Sequence, residues 1–217
     1  MRALSGRLQE TELALGRTGQ IWRGGLEAYL ALAEGDRAGA SKKVTETVDL
    51  ISMGRPIHIH CLNSYVRLAE AASGLFLTAV TSDERRRLRD VAKRACTIVA
   101  KAARVFPIAR PGAKLHRGTL LAAEGRNEEA KRLWLSALQE ARLMSLFYLE
   151  GRIHEALGLL DDGGDAARHG AIARGIFGRL RLASPQDLRF RVSSGSVDGL
   201  QTIPPARTVQ AGPEALA

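Results

Sequence analysis

The chain has 217 residues, 45% hydrophobic and 25% charged, which suits a globular protein with one core or a short array of repeats. Two cysteines, Cys61 and Cys96, supply neither a disulfide framework nor a zinc ribbon, and the longest uncharged apolar stretch, Ala71 to Val80, falls far below the roughly 20 residues of a membrane span. The net charge of +9 is local: residues 61–110 hold 10 basic and 4 acidic groups, so +6 of the excess sits in one segment.

The first ten residues, Met1 to Glu10, carry no apolar signal core, and the expected address is the cytoplasm. Residues 1–20 read as an N-terminal extension. Helical periodicity then runs from Ile21 to Ala33 and from Ala38 to about Met53, with Gly35 between them as a natural C-cap. Ala40, Val44, Val48 and Ile51 share one face of the second helix, and Gly54-Arg55-Pro56 ends it. The next helix starts near Ile57 or Leu62 and runs to Val80; it has no charge beyond Glu70, so burial on more than one side is expected.

Thr81, followed three residues later by Glu84, has the capping-box pattern and opens the clearest helix of the chain. Leu88, Val91, Ala92, Ala95, Val99, Ala102 and Phe106 make its apolar stripe, while Arg86, Arg89, Lys93 and Arg104 lie on or near the opposite side. After a short linker bracketed by Pro107 and Pro111, a pair of helices covers Gly112 to Glu124 and Asn127 to Leu143. Asn127 is expected to cap the second, with Glu128 and Glu129 in its first turn. Leu146 to Leu160 forms a further helix, Asp161 to Asp165 breaks it, and a weaker helix follows over Ala166 to Leu182. From about residue 184 the chain reads as a mostly disordered tail.

Shifting the chain by 90 residues brings Ala33-Glu34-Gly35 onto Ala123-Glu124-Gly125. The same shift puts Ala28 on Gly118, Ala40 on Ala130, Val44 on Trp134 and Val48 on Leu138. Helices joined by a tight turn cross closely only where small residues meet. Gly118 and Ala130 are placed to face each other in one unit, and Ala28 and Ala40 in the other, with Trp134 above Ala130 and Ala137 leaving room for the next helix.

This spacing resembles the tetratricopeptide repeat over Gly112 to Met144. Gly118 stands at its small first-helix position, Leu121 at its bulky one, and Ala130, Trp134 and Ala137 match its second helix. Lys114 replaces the family's first-helix tryptophan and Arg142 its closing proline. The wider run, residues 20–160, is similar to the C-terminal helical repeats of large bacterial signalling ATPases, which follow a nucleotidase module and are sometimes linked to a cyclase, kinase or transcription-factor domain. The segments that carry this likeness are Gly54 to Cys61, and Glu124-Gly125-Arg126 through Trp134 and Ala137 to Arg152. The resemblance implies a sensory or protein-interaction role, and no catalytic residue carries over.

Phosphate-cradling glycine motifs and the common hydrolase and metalloprotease signatures are missing. His58, His60 and Cys61 are metal-ligating types, but residues 58 and 60 point about 200° apart on a helix, so the expectation is a helix start with ordinary histidines. Cys96 lies beside an apolar stripe as a small hydrophobe. Trp22 and Trp134 are expected in the core. No cofactor or metal is expected. These readings combine into an all-α protein, a right-handed solenoid of three to four antiparallel helix pairs over residues 21–183. Its expected function is that of a non-enzymatic protein-interaction or regulatory module. The candidate contact face is Arg86, Arg89, Lys93 and Arg104, offered to an acidic protein partner. One alternative is a nucleic-acid-associated protein using the basic helix 83–104; another is an enzyme with a dispersed site.

Overall fold

A computed structural model describes residues 16–54, 58–161 and 163–180. Its eight helices are α1 (Arg17–Ala33), α2 (Arg37–Ser52), α3 (Leu62–Leu77), α4 (Ser82–Val105), α5 (Arg110–Ala123), α6 (Asn127–Leu143), α7 (Phe147–Leu160) and α8 (Gly163–Arg179). Short 3-10 turns at Ile59–Cys61 and Pro107–Ala109 lead into α3 and α5, and the described residues contain no strand. None of the described helices is long and apolar enough to cross a membrane. Helix α1 begins inside the expected N-terminal extension, and the expected tail lies outside the described residues.

Local chemistry fixes most helix ends. The Asp36 carboxylate accepts from Gly39 N–H at 2.8 Å and caps α2. At α4 the Thr81 hydroxyl accepts from Glu84 N–H at 3.1 Å, while the Glu84 carboxylate accepts from Val80 N–H at 2.9 Å, so the capping box forms with its return bond displaced by one residue. Helix α3 stops at Leu77, three residues before the expected Val80; the Thr78 hydroxyl turns back onto the Gly74 carbonyl, and Val80 is exposed. Asn127 does not cap α6. Arg126 occupies the cap position and grips Glu129 through two bonds of 2.7 and 2.6 Å, so Asn127 is already helical. Helix α8 starts at Gly163, inside the stretch expected to be a break.

Three turns share one design. Asp36 N–H reaches Ala31 O and Gly35 N–H reaches Leu32 O; Arg126 N–H reaches Leu121 O and Gly125 N–H reaches Ala122 O. Leu146 N–H and Ser145 N–H repeat the pair with Ala141 O and Arg142 O. This Schellman geometry needs a left-handed residue after the helix, with φ of 83° at Gly35, 80° at Gly125 and 54° at Ser145. The first two turns are 90 residues apart, as the sequence shift requires.

Every substantial helix contact joins elements one or two places apart in the chain, such as α1–α2, α1–α3, α3–α5 and α7–α8. One core lies among α1–α4 around Ile21, Val44, Tyr65, Leu68, Phe76 and Val99; a second lies among α5–α7 around Leu115, Trp134, Leu138 and Ile153. Helix α3 is buried continuously from Leu68 to Phe76, as its lack of charge implied.

Ala28, Ala40, Gly118, Leu121, Ala130, Trp134 and Ala137 are all buried. Gly118 makes room for Trp134 itself: a Cβ there would sit 2.3 Å from the indole nitrogen, which donates to Leu115 O at 3.0 Å. On α1 the tight positions are Gly24, where a Cβ would strike the Thr47 side chain of α2, and Gly25, where it would strike the Ser64 hydroxyl and carbonyl of α3. The Ser64 hydroxyl lies 2.8 Å from both the Ile21 and Trp22 carbonyls and ties α3 to α1 there. Trp22, unlike Trp134, is half exposed.

The turns give a clean backbone test. Gly125→Ala adds a methyl group that meets no atom within 4 Å, so its cost is conformational, about 1 kcal/mol. Ser145→Gly relieves the same restriction and is expected to stabilise by up to about 1 kcal/mol in urea unfolding. A stabilising Gly125→Ala or a destabilising Ser145→Gly would contradict the shared turn geometry.

Candidate functional site

The first helices of successive hairpins, α1, α3, α5 and α7, send ionisable side chains to one point. Glu70 of α3 is 5% exposed. Its carboxylate accepts from Arg67 Nη1 at 2.7 Å and stands 2.8 Å from Arg152 Nη1 of α7, an electrostatic contact off the hydrogen-bonding angle. Arg152 also pairs with Glu155 at 3.2 Å. The Arg67 guanidinium lies between two tyrosine rings, 4.6 Å from the centre of Tyr29 on α1 and 4.5 Å from that of Tyr148 on α7, and donates to the Tyr148 hydroxyl at 2.8 Å. His116 of α5 is buried beside this group, and its Nε2 has no hydrogen-bond partner.

The electrostatics follow from burial and charge. Burial works against the ionised form of Glu70, but Arg152 and Arg67 outweigh it and hold the carboxyl below its usual range. Burial raises the Glu155 carboxyl, and Arg152 only partly opposes this. His116 is pushed down to about 4 by burial, with Glu70 opposing, so it is neutral near pH 7. This hub is a set of paired charges from α3 and α7, flanked by Tyr29 of α1 and the neutral His116 of α5. Sequence reasoning reached only one trace of it, the last charge before the uncharged run of α3. Arg152 stands 82 positions further on, and no periodicity connects the two.

The basic helix divides in two. Arg89 and Lys93 both contact Glu124 at the end of α5, at 2.8 and 3.0 Å, while Arg85 donates to Ala123 O at 3.4 Å. Cations at a helix C-terminus are favoured by its dipole, so these three side chains serve the α4–α5 packing. Arg94 pairs with Asp49 of α2 at 2.6 Å. Arg86 is exposed, 3.7 Å from an equally exposed Asp83, and Arg87, Lys101 and Arg104 are exposed along the same helix. Beside Arg87 a cleft of about 680 Å³ opens against α2, lined also by Arg37, Lys42, Thr45, Glu46 and Glu84.

The remaining sequence candidates scatter. His58 and His60 are exposed and Cys61 is buried, with its Sγ 3.5 Å from Thr18 O. Burial pushes the Cys96 thiol up to about 12, the opposite of what a nucleophile needs. Among the described residues no group of three or more His, Cys, Asp or Glu side chains is arranged to hold a metal ion. The chain matches no known protein family, no curated protein and no solved structure.

His116 sets an acid dependence with a definite sign. Above about pH 6.5 the residue is neutral whether the chain is folded or unfolded, and stability is full. As pH falls towards 4 the unfolded chain takes up a proton that the buried ring refuses, so stability declines over that window. His116→Leu should leave stability at pH 7.5 unchanged or raise it by about 1–2 kcal/mol, because an orphaned nitrogen is removed. The loss between pH 7 and 5 should shrink by about 1–2 kcal/mol. A variant with the wild-type acid dependence would show that His116 titrates normally in the folded chain.

Proposed function

We propose that the chain is a non-catalytic regulatory module, a solenoid of four helix hairpins of tetratricopeptide type, that meets an acidic protein partner through the outer face of α4. The observation that carries this reading is an imbalance. The charges of the hub are paired with one another, whereas α4 keeps Arg86, Arg87, Lys101 and Arg104 in solvent, beyond the three cations that pair with Glu124 and Asp49. Two further features support the solenoid: helices that pack mainly against those one or two places away in the chain, and a hairpin turn repeated 90 residues apart. Both cysteine thiols are buried, and burial raises their pKa, which favours a binding role over nucleophilic chemistry. The cytoplasmic setting, and the bacterial signalling context implied by the resemblance to ATPase-linked repeats, belong to the same proposal.

Of the four cations first singled out, Arg86 and Arg104 are the ones to test, since reversing Arg89 or Lys93 would set a carboxylate against Glu124. Arg86→Glu/Arg104→Glu should keep full helicity and weaken binding of a glutamate-rich peptide by about tenfold at 0.15 M salt, with a smaller effect as salt rises. Tight binding of duplex DNA at the same salt, abolished by the same changes, would replace this reading with the nucleic-acid one. Equal peptide binding by both proteins would remove the outer face from the account.

A further inference from the structure

The chain of side chains between α6, α7 and α8 has only one consistent arrangement of protons. Arg142 Nη2 of α6 lies 3.1 Å from His154 Nε2 of α7. A guanidinium can only donate, so His154 Nε2 accepts and the His154 proton is on Nδ1. That Nδ1 lies 2.7 Å from His169 Nδ1 of α8, which must therefore be the acceptor. The His169 proton is then on Nε2, which faces Asp161 Oδ2 at 3.5 Å; the other Asp161 oxygen takes Lys131 of α6. One proton stands at each contact, and both rings are neutral.

A second proton fits nowhere. On His154 it must go to Nε2, against the Arg142 guanidinium; on His169 it must go to Nδ1, against the His154 N–H. Either way two donors face each other. The other charged groups around the pair do not relieve this. Glu150 of α7 is engaged with Arg142 at 2.8 Å, Asp161 with Lys131, and Arg168 of α8 adds a further positive charge. Burial first, then His169 and Arg142, push the His154 ring down to about 4.

The contact lies where α8 is weakly held. The buried side chains of α8, Ala173, Ile176 and Phe177, all belong to its C-terminal half, where Phe177 fills the space over Gly151. The N-terminal half has no buried residue, and it approaches α7 at Gly158, where a Cβ would lie 3.4 Å from Ala166 O and from His169 Cβ. Gly163, at its start, has a φ of 62°.

We propose that the His154–His169 pair is a proton-operated latch: a proton taken up on His169 Nδ1 meets the His154 N–H, breaks the α7–α8 contact and frees residues 164–172 of α8, while Ala173, Ile176 and Phe177 keep the rest of the helix docked. The latch is independent of any partner for the outer face of α4.

Hydrogen exchange of the full chain, corrected for the intrinsic rate at each pH, reads the latch directly. Protection of residues 164–172 should fall at least tenfold between pH 7.5 and 5, with α1–α6 and residues 173–179 changing less than threefold beyond the global acid loss that His116 sets. His169→Phe, which has no proton to gain, should keep this segment protected at both pH values, and His169→Lys should expose it at both. Imidazole nitrogen signals at pH 7.5 should place the protons on His154 Nδ1 and His169 Nε2. Undiminished protection in the wild type at pH 5, the same acid loss in His169→Phe, or the opposite tautomers would each overturn the proposal.

Discussion

A carboxylate taken out of water must find positive charge or give up its own, and Glu70 sits at the point where this requirement organises the molecule. Its countercharges come from Arg67 on its own helix and Arg152 on α7, and the tyrosines that flank Arg67 come from α1 and α7. Helices in contact only with near neighbours would otherwise be free to bend relative to one another, as stacked helix pairs generally are. Side chains that span from α1 through α3 to α7 remove much of that freedom. Charge and stacking hold α1, α3 and α7 against one another, and two apolar cores hold the helices around them.

The same arrangement decides which charges stay in solvent, where the proposed partner would meet them. A buried ionic hub with its charges matched offers little to an incoming chain, and breaking it open would leave charges without partners. The outer face of α4 has the opposite character: the apolar stripe from Leu88 to Ala102 is committed to the core, and its remaining cations are held in solvent on a helix of 24 residues. Charge of that kind steers an association and sets its salt dependence more than it adds affinity.

Features that depend on local chemistry were legible in the sequence. The glycine turns at Gly35 and Gly125, the Thr81–Glu84 cap, the buried run of α3 and the packing role of Trp134 all follow from residues near one another in the chain. The third turn was not, because Ser145 holds the left-handed position that glycine holds in the other two. Gly24 and Gly25 were passed over even though two glycines inside a helix are costly, and close helix approach is the usual compensation. The hub and the histidine pair were out of reach for another reason. Each joins residues whose proximity depends on how whole hairpins stack, and neither Arg152 nor His169 carries a periodic signal that names its partner.

The organising role of Glu70 is tested most directly by a double-mutant cycle on Glu70→Gln and Arg152→Met, read by urea unfolding at pH 7.5. Either single change leaves buried charge without its partner and should cost about 3–5 kcal/mol. The double variant should recover part of that loss, with a coupling of about 2 kcal/mol or more, and hydrogen exchange should show α7 loosened in each single variant. Costs below about 1 kcal/mol that add without coupling would show that the two side chains do not hold α3 and α7 together, and the account of the fold would fail at its centre.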